Sequence, residues 1–208
     1  MAVLIVCGVD EHGQRDILAA EPMLEESEDT CLLLFRGLQE RCLRTPRLII
    51  SDAHFGLVAA IRKGFPGASW QRCKVHFMRN ILAHVPHKEK NVFAQQLKAV
   101  WLASTREQAY RRAEELCQQY ERLEDGLEDS LVFYTFPQLD ARKISSTNVL
   151  ERLNREIRRR TNVVGIFPDP NAYTRLVTTY LMEYAEDWVS FRAYLNEQSV
   201  QNLLDPIA

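Results

Sequence analysis

Apolar and polar positions along the first 45 residues follow two successive patterns. Apolar runs at 3–9 and 16–20 flank the turn-forming residues 10–13, which predicts a β-hairpin. From Ser27 onward the apolar residues recur at helical spacing instead, and Ser27 is a typical helix N-cap. The pattern therefore predicts a hairpin followed by a helix that ends before Pro46.

A strand–helix–strand pattern comes next. The run 47–52 ends on Asp52, the run 69–75 reads as another strand, and the helix between them has an apolar stripe formed by Leu57, Val58, Ile61 and Phe65. Because a helix connects the two strands, we expect them to be parallel. Hairpin, helix, strand, helix and strand together predict an α/β fold with a mixed sheet flanked by helices.

In the remainder of the chain, the apolar residues recur mostly at helical spacing. Residues 77 to about 125 predict three helices, and residues 126–141 are ambiguous. A strong helix is predicted from Asn148 to Arg160, with Leu150, Leu153 and Ile157 on its buried side. The last predicted helix starts at 171, with Leu176, Tyr180, Tyr184 and Trp188 in register.

The composition narrows the class of protein. The 208 residues, 24.1 kDa and 46% hydrophobic content fit one globular domain, and no apolar run approaches the length of a membrane span. The five cysteines are odd in number and lack the spacing of a disulfide framework, so we expect reduced thiols and a cytoplasmic location.

The net charge of −2 argues at first against a nucleic-acid partner, but it is the sum of four blocks of opposite sign. Residues 10–30 and 107–129 are acidic. Residues 62–90 carry seven basic residues and one acid, and residues 142–175 carry eight basic residues and three acids. Such asymmetry is typical of an interaction surface, although solvated helix faces also produce it.

Two carboxylates, Asp52 and Glu151, lie at positions where a metal-binding or a purely structural role is possible. Asp52 lies where a strand meets a helix, so it is either a helix cap or a metal-binding carboxylate at the end of a parallel strand. Glu151 lies in the first turn of the arginine-rich helix, where it suits the helix dipole and could pair with Arg155. The basic stripe of that helix, which includes Arg158 and Arg159, is suited to phosphate contacts or to plain solvation.

Cys73 and His76 have the spacing of metal ligands. A zinc site needs about four ligands, and the sequence holds no second cysteine pair. A buried thiol and a hydrogen-bonded histidine are therefore favoured over zinc.

Three motifs, in this order, resemble the Mutator-type transposases of bacterial insertion sequences. They are LIISDAHFGL at 48–57, FPGASWQRCKVH at 65–76 and STNVLERLNREIRRR at 146–160, the last followed by VGIFP at 164–168. The resemblance implies a ribonuclease H-like catalytic domain over 1–208, with a mostly helical insertion at about 77–141 before the last acidic helix. It also implies an Asp-Asp-Glu trio of catalytic carboxylates, in which Asp52 matches the second and Glu151 the third, and a Cys-x-x-His motif matched by Cys73 and His76.

The same resemblance implies metal-dependent cleavage and strand transfer of double-stranded DNA at insertion-sequence ends. Asp52 and Glu151 would bind Mg²⁺ or Mn²⁺, in a two-ion site, and the chain could form a homo-oligomer. The residues expected to contact DNA are Arg152, Arg155, Arg158, Arg159, Lys74 and Arg79.

The chain departs from the family in one respect. The first aspartate of the trio is expected upstream of Met1, and we expect neither Asp10 nor Asp16 to replace it, so the chain alone is predicted to be inactive or nearly so. A second hypothesis is a non-catalytic remnant that binds DNA or a partner through its basic blocks. A third is a ribonuclease H-like nuclease that recruits Asp10.

Overall fold

The computed structural model describes residues 2–23, 25, 27–120, 126–190 and 192–204. The chain separates into two compact units. We name residues 1–44 with 148–208 the hairpin unit, and residues 45–147 the parallel-strand unit.

Strands and helices follow one another along the chain in an order close to the prediction. The elements are β1 (Ala2–Val9), β2 (Arg15–Met23), α1 (Glu28–Glu40), β3 (Leu48–Ser51), α2 (Phe55–Gly64), β4 (Ser69–Arg72), α3 (Lys74–His84), α4 (Lys90–Trp101), α5 (Arg106–Gln119), a 3₁₀ helix (Glu128–Thr135), α6 (Ala141–Ile144), α7 (Asn148–Thr161), α8 (Pro170–Ser190) and α9 (Glu197–Leu204).

The hairpin unit is built on the antiparallel pair β1–β2, as the apolar runs predict. Ser27 caps α1 by accepting a hydrogen bond from the backbone N–H of Thr30, and the Thr30 side chain accepts one from the Ser27 backbone in return. One apolar cluster joins the hairpin to two helices and is formed by Ile5, Leu153, Ile157, Val177, Leu181 and Trp188. This cluster determines which face of α7 is buried.

The short helix α9 has no counterpart in the sequence prediction. The backbone N–H of Leu195, just before it, donates to the carbonyl oxygen of Gly13 in the hairpin turn at 3.0 Å. Gly13 has φ of +77°, and a Cβ there would lie 2.2 Å from the Leu195 carbonyl oxygen. His12 Nδ1 and Glu197 Oε1 are 2.6 Å apart, and this hydrogen bond raises the pKa of His12.

The parallel-strand unit contains β3 and β4, which pair in parallel with Ser51 opposite Arg72. The predicted parallel pairing is therefore confirmed, and so is a structure that mixes helices and strands. The single mixed sheet that the sequence predicts is not formed by the described residues, whose strands make two separate two-stranded sheets, one antiparallel and one parallel.

Strand β4 is shorter than predicted. The expected strand at 69–75 ends at Arg72, because Cys73 occupies the N-cap position of α3 and its carbonyl oxygen accepts from the N–H of Phe77. Val75 thus belongs to a helix, although residues 72–75 alternate between charged and apolar as strand residues do. So short an alternation does not by itself separate the end of a strand from the first turn of a helix.

The predicted buried stripes of two helices are also partly wrong. In α8 the buried side chains include Val177, Leu181 and Trp188, while Leu176, Tyr180 and Tyr184 are only partly buried. The Arg160 guanidinium lies over the Tyr180 ring, 4.7 Å from its centroid, so this tyrosine lies at the polar edge of the helix interface. In α2, Ile61 and Phe65 are buried as expected, but Leu57 and Val58 are half-buried.

A buried amide connects β4 to the 3₁₀ helix. Gln71 is fully buried; its Nε2 donates to the carbonyl oxygens of Arg72 and Ser130, and its Oε1 accepts from the N–H of Phe133. Nearby, Trp101 Nε1 donates to Ser130 Oγ at 2.9 Å. Buried polar groups of this kind are costly when one partner is removed.

We therefore expect Gln71→Leu to lower the free energy of unfolding by about 3 kcal/mol, since three backbone groups lose their partner and two of them, the Ser130 carbonyl and the Phe133 N–H, are buried. Urea denaturation followed by tryptophan fluorescence measures this change. The exposed Gln95 on α4 provides a control, because Gln95→Leu should leave the urea midpoint nearly unchanged. Equal midpoints for both variants would contradict the structural role of Gln71.

The cysteines and the helix lengths are both visible in the structure. All five cysteines lie in the described part of the chain, and none of them is joined in a disulfide. Within that part, none of the helices combines the length and apolar character that a membrane crossing needs.

Candidate functional site

Asp52 lies at the carboxyl end of the parallel pair, directly after β3. The backbone N–H of Cys73 donates to the Ser51 carbonyl oxygen at 2.7 Å, so the β3–β4 register continues to the residues that follow each strand. The carboxyl edge of parallel strands is where α/β folds place ligands. Asp52 therefore has the location that the metal-binding interpretation requires.

The alternative role of Asp52, a helix cap, is realised only in part. The N-cap position of α2 is occupied by His54, and no side chain caps that helix. Asp52 Oδ1 instead accepts from the backbone N–H of His54 at 3.3 Å, which closes a local turn. Among the described residues, Asp52 Oδ2 has no hydrogen-bond partner, so this oxygen is available to a ligand.

Cys73 and His76 form a hydrogen-bonded group with Thr147. Cys73 is fully buried, and its Sγ accepts from the backbone N–H and from Oγ1 of Thr147 at 3.3 and 3.2 Å. His76 Nδ1 lies 3.4 Å from the same Oγ1. The structure therefore shows the buried thiol and hydrogen-bonded histidine that the sequence favoured, and the motif ties the start of α3 to the segment preceding α7.

Glu151 lies in the first turn of α7 and is half-buried. Helical spacing places Glu151 on the face opposite the buried Leu153 and Ile157. The carboxylate is thus on the polar side of α7, together with the arginines.

The polar side of α7 carries three exposed arginines, Arg152, Arg155 and Arg158. None of the three forms an ion pair with a residue that the structure describes. We call these three side chains the basic face of α7. Their charges are available to an anionic partner, as phosphate binding requires.

The other residues expected to contact DNA differ in exposure and in whether their charge is already paired. Arg159 is exposed but pairs with Glu156, its Nε donating to Oε2 at 3.0 Å. Hydrogen bonds from Arg159 and Arg160 lower the pKa of Glu156 to about 2, which keeps that carboxylate ionised. Lys74 is half-buried with its Nζ 5.8 Å from the Phe133 ring centroid, and burial lowers the pKa of its ammonium group. Arg79 is exposed on α3.

Carboxylate oxygens such as those of Asp52 and Glu151 are the hard ligands that Mg²⁺ and Mn²⁺ prefer. The donor chemistry of each residue therefore fits the expected ions. Within the described residues, His, Cys, Asp and Glu side chains nowhere form a group of three or more that could hold a metal ion.

Two features of the candidate site were not predicted from the sequence: the contact of Thr147 with Cys73 and the ion pairs of Glu156. Thr147 lies inside a quoted motif, but its contact with Cys73 spans 74 residues, and no local signal reports it. The pairing of Glu156 with Arg159 and Arg160 was readable from the i,i+3 and i,i+4 spacing of opposite charges on a helix.

Comparisons with known proteins agree on one family. The model of "Transposase, Mutator family" matches residues 1–190. The chain is 37% identical over 203 residues to the transposase for insertion sequence element IS256 in transposon Tn4001 of Staphylococcus aureus, covering 92% of this chain and 52% of that protein. It is 40% identical over 205 residues to the ISRM5 transposase of Rhizobium meliloti, covering 94% and 51%. The chain spans about half the length of these curated relatives.

Proposed function

Since the chain belongs to the Mutator family of transposases, we propose that it forms part of the catalytic region of an insertion-sequence transposase. The proposed reaction is the metal-dependent cleavage and transfer of DNA strands, on a ribonuclease H-like arrangement of strands and helices. The observation that carries the proposal is the position of Asp52, at the carboxyl end of a parallel strand with one oxygen available.

In this proposal Asp52 and Glu151 are metal-binding carboxylates. Divalent ions held by carboxylates activate an attacking oxygen and stabilise the leaving one in phosphoryl transfer. Asp52 is oriented by the turn that its Oδ1 closes with the His54 N–H, which leaves Oδ2 for the ion. Glu151 is held by α7, whose opposite face is packed into the apolar cluster of the hairpin unit.

The basic face of α7 supplies the proposed contact with double-stranded DNA. Arg152, Arg155 and Arg158 lie on the same side of the helix as Glu151. Guanidinium groups bind phosphate oxygens with charge-assisted hydrogen bonds, which position the duplex without reading its sequence. The helix would thus bring a carboxylate and the DNA backbone into the same neighbourhood.

Paramagnetic broadening by Mn²⁺ tests the metal ligands in the chain as it stands. We expect the backbone amide signals around Asp52 and around Glu151 to broaden first as Mn²⁺ is added. Asp52→Asn should retain the turn with His54, because an amide oxygen can still accept that hydrogen bond, but should reduce the broadening around residue 52.

The exposed pair Glu114 and Glu115 on α5 provides the control for non-specific binding to acidic surface. Glu114→Gln should leave the broadening around Asp52 and Glu151 unchanged. Broadening confined to α5, or unchanged around residue 52 in Asp52→Asn, would refute the assignment.

A further inference from the structure

The turn between α7 and α8 exposes three apolar side chains within four residues. Val163 is 85% exposed, Val164 49% and Ile166 90%. The turn is ordered by backbone hydrogen bonds from Val164 N–H to the Thr161 carbonyl and from Ile166 N–H to the Val164 carbonyl, at 3.1 and 3.0 Å. Single exposed apolar residues are ordinary, but a cluster on an ordered turn indicates a contact surface. We call residues 163–166 the apolar turn.

The shape of the apolar turn depends on Gly165, whose φ of +75° is unfavourable for other residues. A Cβ at this position would meet no atom within 4 Å, so the requirement is conformational and not a matter of space. Because the glycine lies between Val164 and Ile166, it determines how these two side chains are presented to solvent.

The apolar turn lies at the carboxyl end of the basic face of α7. The backbone N–H of Asn162 donates to the Arg158 carbonyl oxygen at 2.9 Å, so the helical path continues to the start of the turn. Residues 155, 158 and 162, spaced i, i+3 and i+7, share one side of the helix, and all three are exposed. The apolar turn is therefore flanked by arginines that form no ion pair with any described residue.

The positive charge beside the apolar turn indicates which kind of partner binds there. A cluster of uncompensated positive charge beside an exposed apolar tip is complementary to a polyanion that also offers apolar faces, which is the chemistry of a nucleic-acid duplex. We propose that Val163 and Ile166 insert between base pairs of the bound DNA as an apolar wedge, while Arg155 and Arg158 hold the adjacent phosphates. The inference rests on the proposed DNA-binding function and adds the feature that deforms the duplex.

The test uses short DNA duplexes that carry the fluorescent base 2-aminopurine at successive positions. Binding of the unmodified chain should raise the fluorescence at one or two neighbouring positions, because inserted side chains unstack the bases there. In Val163→Ser/Ile166→Ser this rise should vanish, and the affinity should fall about fivefold or more, because two aliphatic side chains are no longer buried between the bases. The slope of log affinity against log salt should stay the same, since the substitution leaves the phosphate-binding arginines in place.

Controls separate the wedge from its alternatives. Leu33 on α1 is 71% exposed, and Leu33→Ser should change neither the fluorescence nor the affinity. Salt-dependent DNA binding that is identical in the chain and in Val163→Ser/Ile166→Ser, with no fluorescence rise in either, overturns the wedge but leaves the proposed function standing. No salt-dependent binding by the unmodified chain overturns the proposed function and the wedge with it. Loss of self-association in sedimentation velocity, with unaltered DNA binding, would assign the apolar turn to a second copy and likewise overturn the wedge.

Discussion

Replacing Asp52 or Glu151 by alanine is expected to reduce metal-dependent DNA joining to the background level. Each substitution removes a carboxylate that we assign to the metal ions, and phosphoryl transfer depends on ions held in place on both sides of the reacting phosphate. Among the described residues no group of three or more Asp, Glu, His or Cys side chains is placed to hold a metal ion, so none of them forms a ready substitute site.

The assay is best done in a chimera, because the chain matches about half of each full-length relative. The chain would replace the matching region of the Rhizobium meliloti ISRM5 transposase, to which it is 40% identical over 205 residues. Joining of a DNA end with a free 3′-OH to a target duplex is then measured with Mg²⁺ or Mn²⁺. Glu114→Ala, which removes an exposed carboxylate from α5, is the matched control and should join DNA normally.

Isosteric variants separate chemistry from folding. Asp52→Asn and Glu151→Gln keep the size of each side chain and its capacity to accept a hydrogen bond, but remove the charge that binds a metal ion. If Asp52 serves only the turn with His54, Asp52→Asn should join DNA as well as the unsubstituted chimera. Joining by either isosteric variant at the unsubstituted rate would contradict the assigned role.

Replacing Arg155 and Arg158 together by glutamine is expected to weaken DNA binding about tenfold per arginine. Each substitution removes a charge-assisted hydrogen bond to phosphate, and about 1.4 kcal/mol corresponds to tenfold in affinity. The plot of log affinity against log salt should also become shallower by about 0.9 for each phosphate that the protein no longer neutralises. Fluorescence anisotropy of a labelled duplex over a range of salt concentrations measures both quantities in the 208-residue chain.

Substitutions of two further arginines serve as a comparison and a control for this result. Arg159 already pairs with Glu156, so Arg159→Gln should have a smaller effect than Arg155→Gln. Arg111 is exposed on α5 in an acidic stretch, and Arg111→Gln should leave the salt slope unchanged. A salt slope that does not differ between the chain and Arg155→Gln/Arg158→Gln would exclude the basic face of α7 as the DNA contact.

The elements that the sequence predicted well are those whose determinants are local. The hairpin β1–β2, the Ser27 cap of α1 and the amphipathic helix α7 follow from patterns within about a dozen residues. Helix α9, which the sequence prediction missed, depends on a distant partner, because Leu195 just before it is hydrogen-bonded to Gly13 in the hairpin turn. The end of β4 was misplaced for a local reason, because the alternation of residues 72–75 continues into the first turn of α3.

In the candidate site, too, some features could be predicted from the sequence and others could not. The placement of Asp52 at the end of a parallel strand followed from the strand–helix–strand pattern, and that placement is confirmed. The state of Cys73 and His76 could not be decided from their spacing, because their partner Thr147 is more than 70 residues away. The exposure of Val163 and Ile166 was equally unreadable, since whether an apolar residue is covered depends on tertiary packing.

The most direct test of the metal assignment is a change of metal preference. Asp52→Cys, introduced into the chimera, replaces a hard oxygen ligand with a soft thiolate, which binds Mg²⁺ poorly and softer divalent ions well. We predict no DNA joining with Mg²⁺ and recovered joining with Mn²⁺ or Cd²⁺, while the unsubstituted chimera joins DNA with Mg²⁺. Joining by Asp52→Cys that Mg²⁺ supports as well as it supports the unsubstituted chimera would contradict the claim that Asp52 binds the catalytic metal.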